Sequence, residues 1–315
     1  MINVYEAQAA NKRKSAVIIA LFILFVTVSV YFISQAMGVY FGYEPGGLGV
    51  AGLAFIISGL ITFVSYYASD KIVLSISGAR PADRKKDFNF YTVTENLSIA
   101  AGLPKPKLYV IEDSAPNAFA TGRDPEHAVV CVTSGLLQKL NRTELEGVIA
   151  HELSHIKNFD TRLMSIVAVL VGMVALLADI FLRTSFRGGR SGRRESEAAA
   201  IFLVLGLVFA ILSPIIARLI QLAVSRRREF FADSSSVAMT RQPSGLISAL
   251  KKIAADHEPL EAANKATAHL YIVNPFKSDT GGVSPEQRRR VDWFANLFNT
   301  HPPLSERIAA LTKMV

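Results

Sequence analysis

Four apolar runs punctuate the chain, at Val17–Ile33, Gly46–Ala68, Leu163–Leu182 and Ala198–Val224. Each approaches the ~20 residues that a hydrocarbon core of ~30 Å requires of a spanning helix. They pair into two hairpins and divide the sequence into four parts. Residues 1–70 form an amino-terminal membrane hairpin and 71–162 a polar segment. Residues 163–224 form a second hairpin, and 225–315 a polar, mostly helical end broken by the loop "KSDTGGVSPEQ". A basic cluster before the first run also fits a signal peptide. A second apolar run after one short turn favours a retained pair of anchors.

Within 71–162 the pattern changes period. Phe88–Ala101 reads as a helix, and "PKPKLYVIED", "NAFATG" and "HAVVCV" read as short strands of one sheet between Asp and Gly turns. "NRTELEGVIAHELSHIKNFDTR" then reads as a helix. Thr143 and Glu146 match a capping-box start, and nothing but a tolerated Gly147 interrupts the run before the membrane.

Lys and Arg placement gives an orientation. The first turn, "SQAMGVYFGYEPGG", carries neither residue, while both of its flanks are basic, which puts the amino terminus and the segment after Ala68 in the cytoplasm. The second turn, "RTSFRGGRSGRRESE", holds Arg183, Arg187, Arg190, Arg193 and Arg194, and the same rule would keep it inside too. The second hairpin therefore either crosses against the rule or is re-entrant or shallow. Asp179 and Arg218 sit near opposite ends of their runs, within reach of headgroups rather than of each other.

Composition agrees with a membrane protein. Half of the 315 residues are apolar and only 19% are charged, against about 25% in soluble proteins. The net charge of +8 comes from basic clusters flanking the apolar runs, where anionic lipid is the fitting partner. No nucleic-acid motif accompanies them. The single cysteine, Cys131, excludes an internal disulfide and reads as a small core residue.

The chemistry concentrates in "HELSH", residues 151–155. His151 and His155 are i and i+4 on the predicted helix, so both imidazoles project toward a common point, as two zinc bonds of about 2.0–2.1 Å need. Glu152 is placed to take a proton from a water at the metal without ligating it. A third ligand is required. His127, His257 and His269 lie in strand-edge or polar contexts. The better candidate is Glu229 in "SRRREFFADSSS", with Asp233 one turn on to accept a hydrogen bond from the outward nitrogen of a liganding histidine. By itself this pair also reads as acids on a helix face. Glu229 follows the fourth run and His155 precedes the third by about 12 Å along a continuous helix. An antiparallel hairpin would then assemble the site from two halves at one membrane face.

The "HELSH" helix, "SRRREFFAD" after a membrane hairpin, "PNAFATG" and "THPPLSERI" together resemble the HtpX group of membrane-bound M48 zinc metalloproteases, over most of the chain. The resemblance implies an α-helical membrane protein carrying an α+β zincin-like (gluzincin) cytoplasmic catalytic domain, with about four spans and a small antiparallel or mixed sheet beside the HExxH helix. It implies one Zn²⁺ on His151, His155 and Glu229, with Glu152 as general base and Asp233 in support. It also points to His301 as a donor to the developing oxyanion, although a histidine before Pro302 and Pro303 fits a helix start equally. Asn117 stands either on an edge where substrate adds as a strand or at a plain turn. The expected activity is hydrolysis of misfolded membrane or unfolded polypeptides at a bacterial inner membrane, on its cytoplasmic side. Two rivals remain: a prenyl-protein (CAAX) endoprotease, which needs more spans, and a membrane scaffold with a structural zinc, which would leave Glu152 without a purpose.

Overall fold

The computed structural model describes residues 4–41, 47–170, 226–256, 258–263, 267–273, 275 and 302–314. Most of the second hairpin lies outside them, with Asp179, Arg218 and the arginine-rich turn, and so do His257 and His301.

Two long helices open the chain, α1 (Val4–Phe41) and α2 (Gly47–Tyr67), packed along each other. α2 has 21 residues, about 30 Å at 1.5 Å per residue, and no charged side chain. Its outer face leaves Leu53, Phe55, Ile56, Leu60 and Phe63 58–66% exposed. Among the described residues, no helix is long and apolar enough to cross a membrane.

α3 (Ser69–Ile76) leads into a mixed four-stranded sheet of β1 (Arg80–Pro81), β2 (Lys107–Ile111), β3 (Ala118–Thr121) and β4 (Val129–Thr133), in the order β1-β2-β4-β3. β2 and β4 run parallel, pairing Leu108 with Val130, and the two outer pairs are antiparallel, with Phe119 opposite Cys131. The uninterrupted apolar reading of β4 has a simple cause: the strand is buried on both faces. One face, with Val110, Val130 and Val132, packs on α4 (Phe88–Ala101) and on α6 (Arg142–Lys157), through Val93, Leu97, Ile149 and Leu153. The other, with Phe119 and Cys131, packs on Val73 of α3, on Met164 and on Tyr271. Cys131 is fully buried, and burial pushes its thiol far above the ordinary range, so the residue is structural.

A short α5 (Ser134–Lys139) precedes α6. The capping box of α6 is formed by Asn141 and Glu144, not by Thr143 and Glu146 as the sequence pattern predicts. Asn141 keeps an extended backbone while its side chain accepts from the Glu144 N–H, and Glu144 Oε2 accepts from the Asn141 N–H. Lys252 and Ser248 of α9 (Pro243–Ala255) also hold the Glu144 carboxylate, at 2.7 and 2.6 Å. That third-party anchoring selects the earlier of two overlapping cap patterns. Gly147 is the contact point between the two helices: a Cβ there would lie 2.7 Å from the Leu246 nitrogen.

The helix does not continue into the apolar run. α6 stops at Lys157, and Phe159 adopts φ 58°. A new helix, α7, starts at residue 160 and is described as far as 170. The straight-helix distance from His155 to the third run therefore does not apply. The corner has a consequence for Asp160. On an unbroken helix it would stand roughly 140° around the axis from His155, whereas the turn brings the two side chains together.

α8 (Arg226–Thr240) crosses α6 and buries Glu229, Ala232, Asp233 and Ser236, an i, i+3, i+4, i+7 stripe. Ser236 donates to the Gly147 carbonyl at 3.0 Å and fixes the crossing. α10 (Leu304–Thr312) closes the chain against α8 and α9.

Candidate metal centre

α6 and α8 bring His151, His155 and Glu229 to one point, and all three are buried. The two Nε2 atoms lie 3.2 Å apart. Glu229 Oε2 lies 3.6 Å from His151 Nε2, and Oε1 lies 3.5 Å from His155 Nε2. A tetrahedral ion with bonds of about 2.0–2.1 Å spaces its ligand atoms about 3.4 Å apart. Each separation is close to that spacing, with one carboxylate oxygen facing each imidazole, and one ligand atom from each residue lies within 4.8 Å of the others. The N, N, O donor set suits zinc.

Each histidine is oriented from behind. His151 Nδ1 lies 2.9 Å from Asp233 Oδ1, the arrangement proposed from the sequence for that aspartate. His155 Nδ1 lies 3.0 Å from Asp160 Oδ2. With Nδ1–H donating to a carboxylate, Nε2 carries the lone pair that a metal needs. Sequence reasoning did not find Asp160, because five residues beyond His155 is the wrong face of a continuous helix.

Arg307, in the same "THPPLSERI" segment as His301, carries no signal of its role in the sequence. Arg307 is fully buried and gives Asp233 a two-point contact, Nη2 to Oδ1 at 2.6 Å and Nε to Oδ2 at 2.9 Å. Nη1 donates to the Ile272 carbonyl at 3.2 Å. Nη2 stands 3.4 Å from both ring nitrogens of His151, so the guanidinium lies over the ring rather than on a lone pair.

The electrostatics follow from burial and these pairs. Burial alone would raise the Asp233 carboxyl, but Arg307 and His151 hold it below its ordinary value. Burial and Arg307 push the His151 imidazole down, and the hydrogen bonds to Asp233 and Glu229 outweigh them, carrying it up to about 9. Burial pushes Glu152 above the usual carboxylate range, against the pull of the two histidines. Glu152 is 2% exposed.

Asn117 is buried at the start of β3. Its Nδ2 donates to the Val273 carbonyl at 3.0 Å, and the Ile272 N–H donates to the Ala118 carbonyl at 2.9 Å. The chain's own Tyr271–Val273 segment thus occupies the first part of that sheet edge. His127 sits on an exposed turn beside Asp124, and His269 is buried against the Met164 carbonyl. Neither belongs to the triad.

Donors of this kind at these separations put the chain among the zinc metallopeptidases. The sequence profile of peptidase family M48 matches residues 85–315, and the chain belongs to that family. It is 45% identical over 310 residues to the Protease HtpX homolog of Dictyoglomus turgidum, covering 98% of this chain and 94% of that protein. It is 44% identical over 313 residues to the Protease HtpX homolog of Thermoanaerobacter pseudethanolicus, covering 98% and 97%. Among solved structures, the crystal structure of S. mikatae Ste24p matches with a TM-score of 0.45 and 16% identity, over 98% of this chain and 66% of that one.

Proposed function

We propose that this zinc peptidase is a membrane-anchored endopeptidase that cuts unfolded or misfolded membrane polypeptides on the cytoplasmic side of a bacterial inner membrane. The observation that carries the chemistry is the buried triad with Glu152 one residue from its first ligand. When bound, zinc supplies Lewis acidity that polarises a peptide carbonyl and lowers the pKa of water toward ~7. The chain's residues do the rest. Glu152, buried beside the ligands, takes the proton of the attacking water and returns it to the leaving nitrogen. Asp233 and Asp160 keep the imidazoles in the ligating tautomer. His301 is assigned to donate to the carbonyl oxygen as charge develops there. With Asn117 and Ala118 engaged by the Tyr271–Val273 segment, an extended substrate pairs with β3 beyond Ala118.

Membrane anchorage is supported by the apolar outer face of α2 and by the basic residues flanking an uncharged first turn. The four-part organisation at 1–70, 71–162, 163–224 and 225–315, with four spans, belongs to the same reading. A purely structural zinc is disfavoured by the buried carboxylate of Glu152, which the triad does not use.

The test is hydrolysis of casein in detergent by the zinc-loaded wild type and by Glu152→Ala, with metal content measured on both. Equal zinc and a loss of about 10²–10⁴-fold in rate for Glu152→Ala are expected. Equal zinc with equal cleavage would remove Glu152 from the chemistry.

A further inference from the structure

A helix end leaves its last carbonyls without partners, and α6 ends a short turn beyond His155, in the site itself. The amino-terminal helix supplies what that end lacks. Gln8 Nε2 donates to the Lys157 carbonyl at 2.8 Å, and Asn11 Nδ2 donates to the Asn158 carbonyl at 2.9 Å. The Lys12 ammonium lies 4.2 Å from the centroid of the Phe159 ring, on the left-handed residue of the corner. The part of α1 upstream of the apolar run is therefore docked on the α6–α7 corner.

One of these contacts reaches further. Asn11 Nδ2 also donates to Asp160 Oδ1 at 2.7 Å, while Asp160 Oδ2 faces His155 Nδ1 at 3.0 Å. Arg228, one residue before Glu229, approaches both Asn11 Oδ1 and Asp160 Oδ1 at 3.3 Å. These partners settle the orientation of the Asn11 amide, with its oxygen to the cation and its nitrogen to the carboxylate. Asn11, Asp160 and His155 are 3%, 2% and 4% exposed, so water offers no substitute for the missing partner if one is removed.

We infer that Asn11 is a positioning residue of the zinc site: it fixes Asp160, which fixes the ring of His155. The carboxylate has two oxygens with separate duties. Oδ1 is tied to Asn11 and Arg228, which stops the group from rotating, and that leaves Oδ2 aimed at the imidazole. Partners behind a metal ligand of this kind carry about 10–100-fold in metal affinity. Asn11 acts one step further out and takes the lower end of that range. The segment before the first apolar run is thus part of the metal site, through Asn11 alone, as well as the approach to an anchor.

This inference rests on zinc being held by His151, His155 and Glu229, and the test separates the two claims. The full chain in detergent is titrated with zinc against a competing chelator, and the visible spectrum of its Co²⁺ form is recorded. Wild type, Asn11→Leu, Asp160→Asn and the double variant are compared, with Gln8→Leu as a docking control that does not touch Asp160. One tight zinc in wild type supports the site; its absence would reject the site itself. For the inference, Asn11→Leu is expected to weaken zinc about tenfold and to shift the Co²⁺ bands. Gln8→Leu should leave both unchanged, and Asn11→Leu should add nothing in the Asp160→Asn background. Asn11→Ser gives the same comparison with less bulk if Asn11→Leu folds poorly. Unchanged affinity in the Asn11 variants overturns the inference. So does an equal loss in Gln8→Leu, or an undiminished loss in the Asp160→Asn background, because each reduces Asn11 to a helix-docking contact.

Discussion

Arg307 places Nη2 2.6 Å from Asp233 Oδ1, and neither side chain meets solvent. The pair ties the carboxyl-terminal helix to the acid that orients His151. Breaking a buried pair on one side leaves an uncompensated charge, at a cost of roughly 3–5 kcal/mol. Arg307→Leu is therefore expected to lower the denaturation midpoint strongly. Arg307→Leu with Asp233→Leu should recover part of that stability but not zinc affinity, since the His151 partner is gone. Chemical denaturation and a zinc titration of the two variants check this.

Glu144 gives a pH signature away from the metal. Burial would raise its carboxyl, but the bonds from Lys252, Ser248 and the Asn141 N–H outweigh burial and hold it below its ordinary value. A depressed carboxyl contributes stability in full above its unfolded-state pKa. That contribution shrinks as pH falls below the unfolded value and is gone below the folded one. Glu144→Gln should cost about 0.5–2 kcal/mol at neutral pH, the usual range for a helix cap. The difference from wild type should narrow on acidification through that window. Melting curves of both proteins as a function of pH are the measurement.

Removal of the metal should cost stability as well as activity, because the triad buries two imidazoles and a carboxylate whose facing atoms then lose the ion they would share. With free zinc at about a thousand times its Kd, ligand linkage predicts roughly 4 kcal/mol of stabilisation. A chelator is expected to lower the melting temperature, and stoichiometric zinc to restore it. An unchanged melting temperature would mean that zinc binds only weakly.

Much of this site is legible in the sequence because its parts are local. "HELSH" and "EFFAD" each place two polar groups one helical turn apart, and helical spacing alone puts such groups on one face. Strands such as "VVCVT" are legible from their apolar runs. What the sequence hides is tertiary. Asn141/Glu144 and Thr143/Glu146 fit one cap pattern equally, and the choice is made by Lys252 and Ser248 from a distant helix. Asp160 is invisible as a partner of His155 because the helix breaks at Phe159, a residue with no special liking for a left-handed backbone. Arg307 is an ordinary surface-type residue in sequence, and only its burial against Asp233 gives it a role. Asn11 lies in what reads as a basic flank to a membrane anchor.

The central claim is that helices on either side of the apolar segment 163–224 build one zinc site. The most direct measurement is zinc stoichiometry by mass spectrometry under native conditions, on wild type, Glu152→Ala and Glu229→Ala, with folding of each confirmed by circular dichroism. One zinc is predicted in wild type and in Glu152→Ala, and none retained in folded Glu229→Ala. A full complement of tightly held zinc in Glu229→Ala would contradict the account, because the metal would then be held without the second half of its site.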